Sequence, residues 1–168
     1  KAVGAQSGAD GATLERGVKA AFLVKFLGYV DYPDSAAPGA GEPLVIGVLD
    51  ADDVAEELRR ITAGRGMNGR AVAVRKLHAG DALGKLHLLF VGDVDLAEVD
   101  KTLAAVRQTP VLTVTEISRN VRQDSVINFR VIDERVRFEV SLDAAEKNNL
   151  KLSSRLLAVA YKVLRSGR

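Results

Sequence analysis

The chain has 168 residues, and its 47% hydrophobic and 27% charged residues exclude a disordered or collagen-like protein. Lysine and arginine total 24 against 22 aspartates and glutamates, so the net charge of +2 gives little support to nucleic-acid binding. The absence of cysteine excludes disulfides, cysteine–zinc sites and thiol catalysis. At about 150 residues per domain, the length predicts one domain.

The N-terminal segment, residues 1–12, is rich in glycine and alanine, and we predict a flexible lead-in before a single domain of residues 13–168. Thr13 is the predicted cap of a helix that runs to about Val30, and Pro33 stops it. The helix carries two neighbouring apolar stripes, so it either lies inside the core or docks a partner. Its first stripe comprises Leu14, Val18, Ala21, Phe22, Phe26 and Tyr29.

The middle of the chain alternates apolar runs with helical patterns. Strands are predicted at 44–49, 71–76, 86–91 and 111–115, and helices at about 50–64 and 96–107. Strands that alternate with helices of this length are typical of an α/β sheet with helices on its faces.

The C-terminal third predicts a β-hairpin, with strands at 126–132 and 135–142 joined by a tight turn at Asp133 and Glu134. A short helix capped by Asp143 follows, and a last helix begins near Ser153 or Ser154 with Leu156, Ala160 and Val163 on its core side. The predicted fold is therefore an α/β domain with a mixed sheet of about six strands, flanked by helices and completed by the antiparallel hairpin and a helix.

Two polar features stand out near the C-terminus. Asn128, Arg137 and Glu139 project from the hairpin face opposite the apolar one, and they form a polar patch that water or a partner must cover. Arg155 occupies the first turn of the last helix, where the helix dipole disfavours a cation. Arg155 therefore either pairs with a carboxylate or faces an anionic ligand.

Motifs for catalysis and cofactor binding are weak. The glycines of residues 64–69 spell G-x-G-x-x-G, but a helix precedes them and a strand follows, the reverse of a dinucleotide site. His78 and His87 are interpreted as structural or surface residues, and the acids of residues 50–53 as helix-capping groups rather than cation ligands. No nucleophile elbow is present. We therefore predict no catalytic residues, no cofactor and no metal.

Six segments of the chain carry a family resemblance: VKAAFLVKFLGYVDYP at 18–33, PLVIGVLD at 43–50, NGRAVAVRKL at 68–77, LHLLFVG at 86–92, PVLTVTE at 110–116 and the hairpin and tail from 127 to 160. Together they resemble the YfiR-like family of bacterial periplasmic proteins. Each piece is weak alone, but their order and spacing run through about residues 14–164, nearly the whole domain.

That resemblance implies an exported, dimeric α/β protein without catalytic activity, which represses a YfiN-like membrane diguanylate cyclase by binding its periplasmic domain. Cyclic di-GMP and biofilm formation would then fall, and a YfiB-like outer-membrane lipoprotein would be able to sequester the repressor. The best-known members carry disulfides, whereas this chain has no cysteine, so redox control is excluded here. The chain begins with Lys1, so we expect a processed or trimmed form, in which a missing signal peptide does not speak against export.

The sequence leaves two functions open. A repressor would dock its partner through the first helix and the segment after it (Phe22, Phe26, Tyr29, Tyr32) and through the hairpin with the last helix (Ile132, Arg137, Glu139, Arg155). A small-molecule sensor would bind its ligand at the carboxyl ends of the parallel strands, near Asp50 and Gly92, in a pocket lined by Arg155 or His87.

Overall fold

A computed structural model describes residues 3–64, 66–67, 69–119 and 123–166. The helices are α1 (Val3–Leu27), α2 (Asp52–Thr62), α3 (Leu96–Ala105), α4 (Leu142–Lys147) and α5 (Ser154–Val159). The strands are β1 (Val30–Asp31), β2 (Leu44–Leu49), β3 (Val72–Leu77), β4 (Leu88–Val91), β5 (Leu112–Thr115), β6 (Ile127–Ile132), β7 (Arg135–Ser141), β8 (Lys151–Leu152) and β9 (Lys162–Leu164).

Seven strands form one mixed sheet in the order β3-β2-β4-β5-β6-β7-β9. The strands from β3 to β6 are parallel, β7 runs antiparallel to β6, and β9 runs parallel to β7. β1 and β8 form a separate antiparallel pair in which Val30 lies opposite Leu152. The α/β architecture with a mixed sheet and a C-terminal hairpin is therefore confirmed.

The two faces of the sheet are covered unequally. α1 and α2 pack on one face, over inward side chains of β2, β4, β5, β6 and β7. α3 packs on the other face through Val99 and Leu103, which join Leu49, Leu89 and Val91 of the parallel strands. β2 and β4 are buried on both sides, which explains why they are continuous apolar runs. Beyond β5, that second face carries polar side chains instead, and they form the cleft described below.

The five phenylalanines of the chain form one aromatic cluster between α1 and the sheet. Phe26 stacks on Phe129 at 5.9 Å between ring centroids and meets Phe138 edge-on at 5.1 Å. Phe22 makes the same edge contact with Phe138 at 5.4 Å, and Phe90 approaches Phe129 at 6.1 Å. These geometries are the favourable ones for aromatic pairs, so the cluster fixes α1 on the hairpin.

A buried lysine also holds α1 to the sheet, at the carboxyl ends of the parallel strands. The Nζ atom of Lys19 donates to Glu15 and to Glu116, each at 2.7 Å. Glu116, directly after β5, also accepts a hydrogen bond from the backbone N–H of Asp93 at 3.0 Å. Burial opposes the charge of Lys19, but the two carboxylates outweigh it and raise the pKa of the lysine above its usual value.

The start of α1 differs from the prediction. The helix begins at Val3 rather than at Thr13, so residues 3–12 of the predicted flexible segment are helical. Alanine has the highest helix propensity, and a helix that is already nucleated extends by one hydrogen bond per residue. Residues 1 and 2 of that segment lie outside the described residues.

The C-terminus also differs in detail. The hairpin turn is confirmed, and positive φ angles of 52° at Asp133 and 63° at Glu134 make it a type I′ turn. The last helix, however, ends at Val159, and Lys162–Leu164 form the edge strand β9 instead of a further helical turn. α4 is capped by Ser141, whose Oγ accepts from the N–H of Ala144, and not by Asp143.

None of the helices in the described part of the chain combines the length and the apolar character that crossing a membrane requires.

Candidate functional site

The aromatic residues predicted to dock a partner are only partly accessible. Phe26 is 1% exposed and belongs to the core, so its predicted docking role needs a correction: the rings of Phe129 and Phe138 cover it. Phe22, Tyr29 and Tyr32 are half-buried at the edge of the same core. This part of the chain therefore offers limited aromatic surface to a partner.

His87 and Tyr32 are joined by a hydrogen bond, and we interpret them as structural residues. The hydroxyl of Tyr32 donates to the carbonyl of His87 at 2.6 Å, and the Nδ1 atom of His87 accepts from the N–H of Val45 at 3.0 Å. His87 is 2% exposed, and its Nε2 atom has no partner among the described residues. Burial lowers the pKa of His87 and raises that of Tyr32, so both side chains are neutral near pH 7.

The ligand site predicted near Asp50 and Gly92 is not assembled. His87 lies before β4, at the amino end of the strand, whereas Asp50 and Gly92 follow the carboxyl ends of β2 and β4. A Cβ atom on Gly92 would lie only 2.5 Å from the carbonyl oxygen of Asp50, so the two backbones fill the space between them. Sequence order placed these residues on neighbouring strands but did not reveal that close approach.

Arg155 is exposed at the start of α5 and makes no ion pair with a described residue. The carboxylate partner considered for it is therefore not found in the described part of the chain. No hydrogen bond or ion pair joins Arg155 to His87, so the structure does not bring the two predicted ligand-binding residues together.

An apolar surface does lie along the last strand of the sheet. We call it the edge surface and define it by Arg137, Val159, Tyr161 and Val163. Tyr161 is 41% exposed, Val163 43% and Val159 60%, and the guanidinium of Arg137 lies 5.4 Å from the centre of the Tyr161 ring. β9 is an edge strand that pairs only with β7 among the described residues, so its other side is available to pair with another chain. Ile132, half-buried at the far end of β6, lies outside this surface.

The predicted polar patch on the hairpin is part of a larger cavity. We call it the polar cleft: a space of about 620 Å³ on the second face of β5, β6, β7 and β9. Asn128 and Glu139 line its floor, whereas Arg137 stacks on Tyr161 instead. The floor is completed by three hydroxyl residues that the sequence did not single out, Thr113, Thr115 and Ser141.

The floor is held rigid by its own hydrogen bonds. Oδ1 of Asn128 accepts from the hydroxyl of Thr115 at 2.7 Å and from the N–H of Ile117 at 2.8 Å. Nδ2 of Asn128 donates to the carbonyl of Ile117 at 3.0 Å. Thr115 also shares a hydrogen bond with Ser125 at 2.7 Å. Buried polar networks of this kind specify one arrangement when every member is satisfied.

Two acceptors in the cleft are not satisfied in this way. The carboxylate of Glu139 is nine-tenths buried, and among the described residues it forms an ion pair with Arg130 alone, where Oε1 and Nε are 3.7 Å apart. The Oε1 atom of Gln123 is buried without a partner among the described residues, although its Nε2 donates to three carbonyl oxygens. A buried acceptor without a donor is costly, so Oε1 of Gln123 marks where a donor is wanted, and the carboxylate of Glu139 is a further acceptor beside it.

Cations surround the cleft. The described residues that line it include six basic side chains, Arg107, Arg119, Arg130, Lys147, Lys162 and Arg165, and three acidic ones, Asp124, Glu139 and Asp143. Asp143 is held by hydrogen bonds from Ser166, which lower its pKa. Arg107, Arg119 and Lys162 make no ion pair with a described residue. The cleft thus favours a negatively charged occupant.

Among the described residues, no group of three or more His, Asp or Glu side chains is placed to hold a metal ion. The cleft therefore offers polar recognition rather than an assembled metal centre in this part of the chain.

Comparison with known proteins gives a family. No curated protein matches the chain. The family described as YfiR/HmsC-like matches residues 16–161, from within α1 to Tyr161 of the edge surface. That match covers most of the chain and includes every strand of the sheet except β9. The protein therefore belongs to the YfiR/HmsC-like family, a regulatory rather than catalytic family linked to diguanylate cyclase signalling and to the periplasm.

Proposed function

We propose that this protein is a periplasmic, non-enzymatic regulator that binds the periplasmic domain of a membrane-bound diguanylate cyclase and represses it. Cyclic di-GMP and biofilm formation would fall as a result. The observation that carries the proposal is the family match over residues 16–161. The edge surface supports it, because exposed apolar side chains beside a free strand edge are a common mode of protein docking.

The edge surface would act by differential affinity. A repressor shifts its target only if it binds the inactive conformation more tightly than the active one. Moving an equilibrium from 1:99 to 99:1 needs a difference of about 10⁴-fold. Tyr161 and Arg137 suit this role, since aromatic and arginine side chains carry most of the energy of protein interfaces.

Further partners follow from the family rather than from geometry. We propose a homodimer as the working form and a YfiB-like outer-membrane lipoprotein as a protein that sequesters it. No disulfide can tune either interaction, because the chain has no cysteine.

Cellular cyclic di-GMP tests the proposal. Deleting the gene should raise cyclic di-GMP, and an exported wild-type copy should restore it. An exported copy with Tyr161→Ala and Arg137→Glu should restore it poorly, because the edge surface is lost. Lys101→Glu, at an exposed position of α3, is the matched charge control and should restore it fully. Unchanged cyclic di-GMP on deletion would contradict the proposal.

A second function, a periplasmic small-molecule sensor acting on a membrane signalling partner, is favoured by one observation. The polar cleft has a volume within the range of about 300–1,000 Å³ that is usual for ligand pockets. The two functions are compatible, because a ligand in the cleft would lie on the strands next to the edge surface.

A further inference from the structure

We propose that the polar cleft binds a small hydroxylated anion, a carboxylated or phosphorylated sugar. The basic rim would hold its acid group, and Glu139 would accept from its hydroxyls. This inference deepens the sensor function proposed above. Its test uses the purified protein alone, so that failure here leaves the repressor function standing.

The basic side chains that line the polar cleft indicate a negatively charged ligand. Arg107, Arg119 and Lys162 come from the turn after α3, from the chain after β5 and from β9, and all three line the same cleft. None of them is neutralised by an ion pair with a described residue. Arg130 is partly compensated by Glu139, and Arg165 by Glu146 at 3.8 Å. An anionic group would therefore meet cations from three parts of the fold, none of them ion-paired within the described part of the chain.

The hydrogen-bond acceptors of the cleft indicate that the ligand carries hydroxyl groups. Lys162 lies opposite Glu139 in the register of β9 and β7, so a cation and an acceptor stand side by side on one face. The Oε1 atom of Gln123 is a second acceptor that lacks a donor among the described residues. A simple inorganic anion would engage the cations but would supply no donor to Gln123 or to Glu139. A ligand with hydroxyl groups beside its acid group satisfies both.

The lining also limits the body of the ligand. Most of the described side chains around the cleft are polar, and the apolar ones are Leu103, Ile117, Ala144 and Leu164, so the lining favours a polar ligand over a hydrophobic one. The internal hydrogen bonds of Asn128, Thr115 and Ser125 keep the floor in place before a ligand arrives. Because the floor is preorganised, little ordering cost opposes binding.

Isothermal titration calorimetry on the full chain tests this proposal with four probes: D-glucuronate, D-glucose 6-phosphate, D-glucose and acetate. We expect saturable binding of one or both acidic sugars, and at least about tenfold weaker binding of D-glucose and acetate, because each lacks half of the contacts. The comparison of D-glucuronate with D-glucose 6-phosphate distinguishes a carboxylate from a phosphate.

Variants locate the binding. Lys162→Gln and Arg119→Gln change exposed side chains and should each weaken binding of the acidic sugar about tenfold without lowering the melting temperature. Lys151→Gln, an exposed lysine of β8 outside the cleft, should leave binding unchanged. The proposal is overturned if no acidic sugar binds at millimolar concentration, if D-glucose binds equally well, or if both cleft variants bind like wild type.

Discussion

Replacing Lys19 with methionine should lower the free energy of unfolding by about 3–5 kcal/mol, because it leaves a part-buried carboxylate without its cation. The side chain of Lys19 is 9% exposed and that of Glu116 19%. Because the pKa of Lys19 is raised in the folded protein, its contribution to the free energy of unfolding depends on pH. The contribution is fully present below the pKa of unfolded lysine, about 10.4, and is lost as pH rises through the folded pKa. Urea denaturation of both proteins at neutral pH measures the difference.

Two further variants test whether the loss of stability comes from the pairing of Lys19 with Glu116. Lys25→Met removes an exposed lysine of the same helix and should change stability by no more than about 0.5 kcal/mol. Adding Glu116→Gln to Lys19→Met should recover part of the loss, because the amide is neutral and still accepts from Asp93. If Lys19→Met unfolds at the same urea concentration as wild type, the lysine does not hold α1 as described.

The aromatic cluster should be equally sensitive. Phe129→Ala should cost about 3–5 kcal/mol, the usual range for removing a buried phenylalanine ring. Phe129 is 2% exposed and contacts the rings of Phe22, Phe26 and Phe90. The cavity would open between α1 and the sheet, so α1 should also lose protection against amide hydrogen exchange.

Val131→Ala is the matched control, because Val131 lies two residues further along β6 on the same face and is 52% exposed. Its effect should stay within about 0.5 kcal/mol. A Phe129→Ala protein as stable as Val131→Ala would show that the cluster does not hold the helix to the sheet.

Most helices and strands of this fold can be predicted from local sequence patterns. All six predicted strands are present, since apolar runs and two-residue alternation report burial directly. β9 was not predicted, because Leu156, Ala160 and Val163 also fit helical spacing. In the folded chain, residues 162–164 pair with β7 and form a strand instead. The early start of α1 was not predicted, because the three glycines among residues 1–12 disfavour a helix although alanines accompany them.

The candidate site was predictable only in part. Alternation along the hairpin placed Asn128 and Glu139 on its polar face, and both line the cleft. The same reasoning grouped Arg137 with them, but its long side chain turns to Tyr161, a contact that only the position of β9 creates. The cleft itself has no local signal, because α3, α4, the strands and the tail contribute to it from distant parts of the sequence. The polar residues at alternate positions of β5, Thr113 and Thr115, were the available clue.

The fold suggests how the two proposed functions would connect. β7 supplies Glu139 to the cleft and Arg137 to the edge surface, and β9 supplies Lys162 to the cleft and Val163 to the edge surface. A ligand that draws Lys162 toward its acid group would act on the strand that docks the partner. Coupling of this kind requires different ligand affinities for the docked and the free state.

Binding between this protein and the purified periplasmic domain of the membrane diguanylate cyclase of the same genome tests the central claim most directly. Titration calorimetry should show saturable binding, weakened about tenfold or more by Tyr161→Ala at the edge surface and unaffected by Lys101→Glu. Wild-type protein that does not bind the cyclase domain would contradict the repressor function, and binding that Tyr161→Ala leaves intact would contradict the edge surface as its docking site.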